Sequence, residues 1–171
     1  MRISAVEEYG LRCLLALARK GRDQQLSISE IAELEGLSVP YASKLLAILR
    51  RAGLVTAERG RGGGFSIAID PDKVSLYQVL TALGGPMIDP HHCNRFTGQK
   101  DQCVHTDQCN IHDVLGGLAG YVQSFLSRTT LYDLIAIPND GLLRRSTEHI
   151  EIAPTALEKE LSQDGEPRVS E

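Results

Sequence analysis

The sequence predicts a mainly α fold with a small β-wing, a winged helix–turn–helix domain followed by a long C-terminal dimerisation helix. Three observations carry that expectation. Apolar residues recur at helical spacing behind Ser-x-x-Glu/Gln capping boxes at Ser4, Ser27 and Ser75. Two short runs, Leu54–Glu58 and Phe65–Ile69, read as strands around the glycine-rich stretch from Arg59 to Gly64. Finally, Ile111, Leu115, Leu118, Val122 and Phe125 follow a 4, 3, 4, 3 spacing, an a/d seam over about two heptads.

The elements follow in order. Ser4 to about Arg19 is a helix with Ile3, Val6, Gly10, Cys13, Leu14 and Leu17 on one face. The polar Gly21–Gln25 breaks it. Ser27 and Glu30 box in a short second helix carrying Ile31, Ala32 and Leu34, which Gly36 stops. Ser38 caps the third, and Pro40 is tolerated because it lies in the first turn. Leu45, Leu46, Ile48 and Leu49 form its apolar face, leaving Lys44, Arg50 and Arg51 to solvent, and Gly53 ends it. After the hairpin, Ser75 and Gln78 open a fourth helix with Leu76, Val79, Leu80 and Leu83, closed by Gly84, Gly85 and Pro86. Pro90–Asn110 is polar, holds three Cys and three His, and has no periodicity, so it reads as a functional or disordered loop. Gly116, Gly117 and Gly120 cost the last helix roughly 1 kcal/mol each but permit close approach of another backbone. Thr147–Glu171 sets seven acids against Lys159 and Arg168. The expected organisation is therefore a DNA-binding domain over 1–84, a cysteine loop over 85–110, a dimerisation helix over 111–136 and a flexible acidic tail over 137–171.

Composition narrows the function. The 171 residues, 42% of them hydrophobic, suffice for one domain with an appendage. No apolar run approaches the ~20 residues of a membrane span. MRISAVEEYGLR sets two Glu where a signal peptide needs an apolar core, which predicts a cytoplasmic protein. In that setting four Cys point to metal or redox chemistry before structural disulfides. No nucleophile with a placed base and no phosphate loop is visible, so no enzyme is expected. Net charge is −4, yet residues 1–70 hold ten Lys/Arg against eight Asp/Glu, while residues 71–171 hold eight against fourteen. Ser38–Arg61 has five basic residues opposed only by Glu58. An acidic protein can still hold a polyanion where its cations share a face, because salt fades more distant charges within about 8 Å.

Three helices followed by a basic-tipped hairpin make the order of a winged helix–turn–helix. The third helix can enter a major groove of an operator duplex, led by Ser38, Val39, Pro40, Tyr41, Ser43 and Lys44. Arg59 and Arg61, with Gly62 and Gly63 letting the backbone come close, suit phosphates or a narrow minor groove. Arg50 and Arg51 suit phosphate positioning. A plain α+β module with a solvated basic face is the rival. A tight hairpin would explain the glycines of the wing but not its arginines.

Cys93, Cys103 and Cys109 are spaced C-x9-C-x5-C, and His112 follows three positions later. Thiolates are soft ligands for iron–sulfur clusters, zinc or copper(I). Three of them and one further ligand complete a 2Fe–2S site. Zinc would accept the same donors, though the tight C-x2–4-C knuckles of structural zinc are missing. A metal-free thiol–disulfide switch, and an electron-transfer or metal-handling protein that uses the winged fold for protein contacts, also remain open. His91 or His92 could stand in for His112. Cys13 falls on the buried face of the first helix and reads as a small core hydrophobe.

Together, GLSVPYASKLLAILRRAGLV, ERGRGGGFSIA, SLYQVL and CVHTDQCNIH resemble the Rrf-two family of bacterial transcriptional regulators, the IscR/NsrR/RirA-like iron–sulfur winged-helix proteins, over roughly residues 1–136. The resemblance implies a homodimer joined by the helix after the cysteine loop, bound to a two-fold operator. It implies a cluster on Cys93, Cys103 and Cys109, with His112 as the fourth ligand. In other members a carboxylate from the first helix of the opposite subunit serves, and Glu8 occupies that place. The first gap is nine residues where IscR has five, so 2Fe–2S is favoured but 4Fe–4S stays open. Ser43 stands where IscR has a glutamate tied to site choice, and IscR's two-motif discrimination is not carried over.

Overall fold

The computed structural model describes residues 3–58, 60, 63–86, 97–105 and 109–136, all within one unit, Met1–Pro138. Arg59, Arg61, Gly62, His91, His92, Cys93 and the tail over 137–171 lie outside the described residues. The elements are α1 (Ala5–Lys20), α2 (Ile28–Glu35), α3 (Val39–Arg51), β1 (Val55–Ala57), β2 (Phe65–Ile67), α4 (Leu76–Gly84), α5 (Asn110–Arg128) and α6 (Leu131–Ala136). The expected mainly α fold with a two-stranded wing is present, and the elements follow the expected order as far as α5. No described helix is long and apolar enough to cross a membrane.

Local chemistry sets most boundaries. At Ser4, Ser27 and Ser75 the hydroxyl accepts from the N3 amide, while the N3 Glu or Gln side chain accepts from the cap amide. Ser38 caps α3 through its hydroxyl alone, accepting from the Tyr41 N–H at 3.4 Å. Gly36 ends α2 at φ +65°, a left-handed conformation that turns the chain sharply into α3. Ile3 precedes the α1 cap and is 48% exposed, so the buried stripe of α1 is instead Gly10, Cys13, Leu14, Leu17 and Ala18.

That stripe is the centre of the core. Cys13, Leu14 and Leu17 are fully buried among Ile31, Leu45, Leu46, Leu49, Val55, Val79 and Leu131. Burial pushes the Cys13 thiol up to about 11, so it stays protonated and inert, as its place on the apolar face predicted. A Cβ at Gly10 would collide with the Leu83 side chain, so α1 and α4 cross at contact distance only because this residue lacks one.

The strands pair antiparallel with Val55 opposite Ile67 and Ala57 opposite Phe65, shorter than the sequence pattern suggested. Phe65 also bridges Leu26 through two backbone hydrogen bonds of 2.8 and 2.9 Å, so the connection between α1 and α2 acts as a third, one-residue strand.

The expected single helix over 111–136 is two. Thr129 leaves the helix at φ −92°, ψ 122°, and its hydroxyl donates to the Phe125 carbonyl. The Leu76 N–H then donates to Thr129 O at 2.9 Å, and the Leu131 N–H donates to Val74 O at 2.8 Å. The chain leaving α5 is thereby drawn into a bridge with the residues that open α4, and α6 starts afresh with Leu131 in the core. Leu131→Ala should destabilise the protein by about 2–5 kcal/mol, the usual cost of truncating a fully buried leucine, as read from the urea midpoint at unchanged m-value.

Candidate nucleic-acid interface and cysteine loop

The solvent face of α3 is built by subtraction. Ala42, Leu45, Leu46 and Leu49 are consumed by the core, which leaves Val39, Pro40, Ser43, Lys44, Ala47, Arg50 and Arg51 facing out. Pro40, Ser43, Ala47 and Arg50 lie 3, 4 and 3 apart and form one continuous strip with Lys44 and Arg51 beside it. Its first turn carries no acid and its last turn carries two arginines. Such a strip has the dimensions and charge of a groove-reading helix: small side chains near the leading end, cations behind. Of the sequence candidates, Ser38 is engaged in capping and Tyr41 is half-buried. Val39, Pro40, Ser43, Lys44, Arg50 and Arg51 are free to meet a ligand. Ala47 was missed; it carries no charge to mark it, and only the 3.6-residue period places it mid-strip.

The wing root is tied down from several sides. Thr56 Oγ1 and Ser66 Oγ lie 2.8 Å apart across the strands. The Gln25 amide donates to Glu58 Oε2 at 2.6 Å. Glu58 N–H donates to Gly64 O, and Gly63 N–H donates to Gly60 O, both at 3.0 Å, closing the hairpin toward its tip. Beyond β2, Lys73 and Arg22 both donate to Asp70, at 2.8 and 2.6 Å, and hold its carboxyl below the usual carboxylate range. Of the proposed wing contacts only Gly63 is among the described residues.

In the cysteine loop, Cys103 and Cys109 are free thiols of intermediate exposure. Cys109 is the N-cap of α5, and its Sγ accepts from the His112 N–H at 3.4 Å. The C-x2-H spacing therefore has a local origin: one turn of helix sets Cys109 and His112 side by side at the start of α5. Glu8 is exposed in the first turn of α1. Among the described residues no three of His, Cys, Asp and Glu gather closely enough to hold a metal ion.

The rest of α5 presents an apolar face. Val122 and Leu126 pack on Leu76 and Leu80 of α4. Ile111, Val114, Leu118, Tyr121 and Phe125 are exposed, Ile111 at 72% and Val114 at 70%. These five recur at 3, 4, 3 and 4, so the outward seam is Ile111, Val114, Leu118, Tyr121 and Phe125, with Leu115 of the expected seam also exposed beside it. Val122 of the expected seam turns inward.

Comparison with known proteins places these features. The model of the Rrf2 family, described as iron-dependent transcriptional regulators, matches residues 3–137. The HTH-type transcriptional regulator IscR of Yersinia enterocolitica is 30% identical over 135 residues, 79% of either chain. The structure of CymR, the global cysteine regulator of B. subtilis, superposes with a TM-score of 0.64 at 28% identity, covering 78% of this chain and 95% of that one. T. potens IscR follows at a TM-score of 0.63 and 27% identity, covering 79% and 86%.

Replacing Lys44 or Arg50 with Ala should weaken binding to duplex DNA of any sequence and lower the slope of log affinity against log salt by about 0.9 per lost phosphate contact. Fluorescence anisotropy across a salt series measures both; an unchanged slope would remove these side chains from the interface.

Proposed function

The chain belongs to the Rrf2 family of transcriptional regulators, and from that premise we propose that it binds a two-fold operator as a homodimer whose DNA affinity is gated by an iron–sulfur cluster, 2Fe–2S before 4Fe–4S. The observation that carries this reading is the place of Cys109. Its sulfur caps the helix whose outward face is an unpartnered apolar seam, so whatever engages the sulfur acts at the first turn of that helix.

The donor chemistry fits such a group. Cys103 and Cys109 supply soft thiolates and His112 an imidazole, with Cys93 as the third thiolate; Glu8 of the partner subunit is the alternative to His112. When bound, the cluster supplies a centre responsive to iron, oxidant or nitric oxide. The chain's own residues do the rest. Ligation at Cys103 and Cys109 would restrain the segments that carry them, and Cys109, as the N-cap, would pass that restraint to α5. The seam on α5 then fixes how two α3 helices are spaced along a duplex. A coupling of ~1–3 kcal/mol would move operator affinity by 5–150-fold.

A metal-free switch is the second reading, favoured by the accessibility of the same two thiols and by the likeness to a cysteine regulator. In it Cys103 and Cys109 give two electrons and two protons to an oxidant and form a disulfide.

Anaerobic purification should yield a coloured protein containing iron and acid-labile sulfide, whose DNA titration shifts on cluster loss; Cys103→Ala should abolish both colour and shift. Colourless protein whose DNA binding still responds to oxidant would favour the disulfide instead. Leu118→Glu, which sets a charge in the middle of the α5 seam, should convert the dimer to monomer by light scattering and cost most of the operator affinity. A dimer that survives it would put the interface elsewhere.

A further inference from the structure

We propose that Tyr9, Arg12 and Glu35 are positioning residues for DNA readout, which set the angle at which the first turn of α3 meets the groove without touching DNA themselves. The inference rests on the reading of α3 as the groove helix and is independent of the cluster.

In the first turn of α3, Val39, Pro40, Ser43 and Lys44 face solvent; the turn is held by Tyr41 and the buried Ala42, and by Leu37 in the connection before it, which packs on the core. The connection from α2 is only Gly36–Ser38. α1 grips both sides of that connection. On the α2 side, Arg12 Nε donates to Glu35 Oε2 at 2.8 Å, and Arg12 Nη2 reaches the Glu35 carbonyl at 3.5 Å. The last turn of α2 has no basic residue of its own. Its carbonyls form the negative end of the helix dipole, and Arg12, lent by α1, supplies the missing cation. The hydrogen bond to Glu35 in turn raises the Arg12 guanidinium above its ordinary value.

On the α3 side, the Tyr41 ring meets Tyr9 edge to face, with centroids 6.1 Å apart and planes at 80°. Tyr9 and Arg12 are one turn apart on α1, and the guanidinium carbon lies 5.4 Å from the Tyr9 ring centre. Glu35, Arg12, Tyr9 and Tyr41 thus form one row spanning the end of α2 and the start of α3. The Glu35 side chain is 13% exposed and that of Arg12 is 44% exposed, so this end of the row is shielded on its Glu35 side only. Removing a member leaves α3 folded through Leu45, Leu46 and Leu49 but frees its leading turn to tilt.

The test uses the full-length chain, wild type and variants purified in parallel and kept in one cluster state. The probes are a duplex selected by the wild type from a randomised pool and a scrambled duplex of equal length. Arg12→Ala and Glu35→Gln should each weaken the selected duplex about tenfold, the order that misplaced base contacts cost, with scrambled binding and salt slope unchanged. The charge-reversed pair Arg12→Glu with Glu35→Arg should recover part of the loss, since it restores a cation at the end of α2. Equal losses on both duplexes, with a salt slope lower by about 0.9, would make Arg12 a phosphate contact and overturn the proposal. So would unchanged selectivity in both single variants. Should Arg12→Ala fail to fold, Glu35→Gln, which keeps side-chain volume, and Tyr9→Leu, which removes the ring, must show the selective loss at a melting temperature near the wild type. A wild type that selects no duplex would sink the DNA reading itself, whereas selective variants matching the wild type would sink the positioning role alone.

Discussion

The crossing of α1 over α4 at Gly10 is the constraint on which the remaining packing depends. With a side chain there, the Leu83 methyls that fill this crossing would have to move. Cys13, Leu14 and Leu17, one and two turns further along, are buried against residues of α2, α3, α4 and α6 and of both strands. One helix thus touches the groove-reading element on one flank and the helix that leads into the cysteine loop on the other. A second contact tightens that junction: a Cβ at Gly84, the last residue of α4, would strike the Glu7 side chain, which also closes the capping box of α1. The two functional regions meet through α1.

What was legible in the sequence is what is local. Three capping boxes and the left-handed Gly36 act within four residues, so the starts of α1, α2 and α4 and the turn into α3 could be read directly. The basic outward face of α3 follows from period alone. Three features escaped because partners distant in sequence decide them. The end of α5 at Thr129 depends on the bridge that the next residue, Thr130, makes with Ser75. The outward seam differs from the expected one because Leu76 and Leu80 claim Val122. The Arg12–Glu35 and Tyr9–Tyr41 contacts join positions 23 and 32 apart, and nothing in α1 by itself distinguishes those side chains from solvated ones. Of the proposed ligands, the three-position step from Cys109 to His112 was visible in the sequence, whereas the capping role of Cys109 and the company each sulfur keeps in space are structural matters.

Electrostatics divides the chain in the same sense. The net charge of −4 arises from the second half, and the cations that matter for a polyanion lie on the strip of α3 and beside it. At ionic strengths where the Debye length is about 8 Å, a duplex held at that strip would feel Lys44, Arg50 and Arg51 most strongly. The acidic remainder then disfavours indiscriminate attachment to nucleic acid, which leaves shape and base contacts to decide where the protein stays.

The two backbone hydrogen bonds that join Val74 and Leu76 to Thr129 and Leu131 have an evolutionary corollary. They staple the base of an excursion that carries α4, the cysteine loop and α5, so the excursion begins and ends at one spot on the core. The entropy of closing such a loop rises only with the logarithm of its length. Residues can therefore be inserted or deleted between the first two cysteines without disturbing the register of anything below the staple. A lineage could change the length of the cysteine loop while the helices below the staple stay as they were.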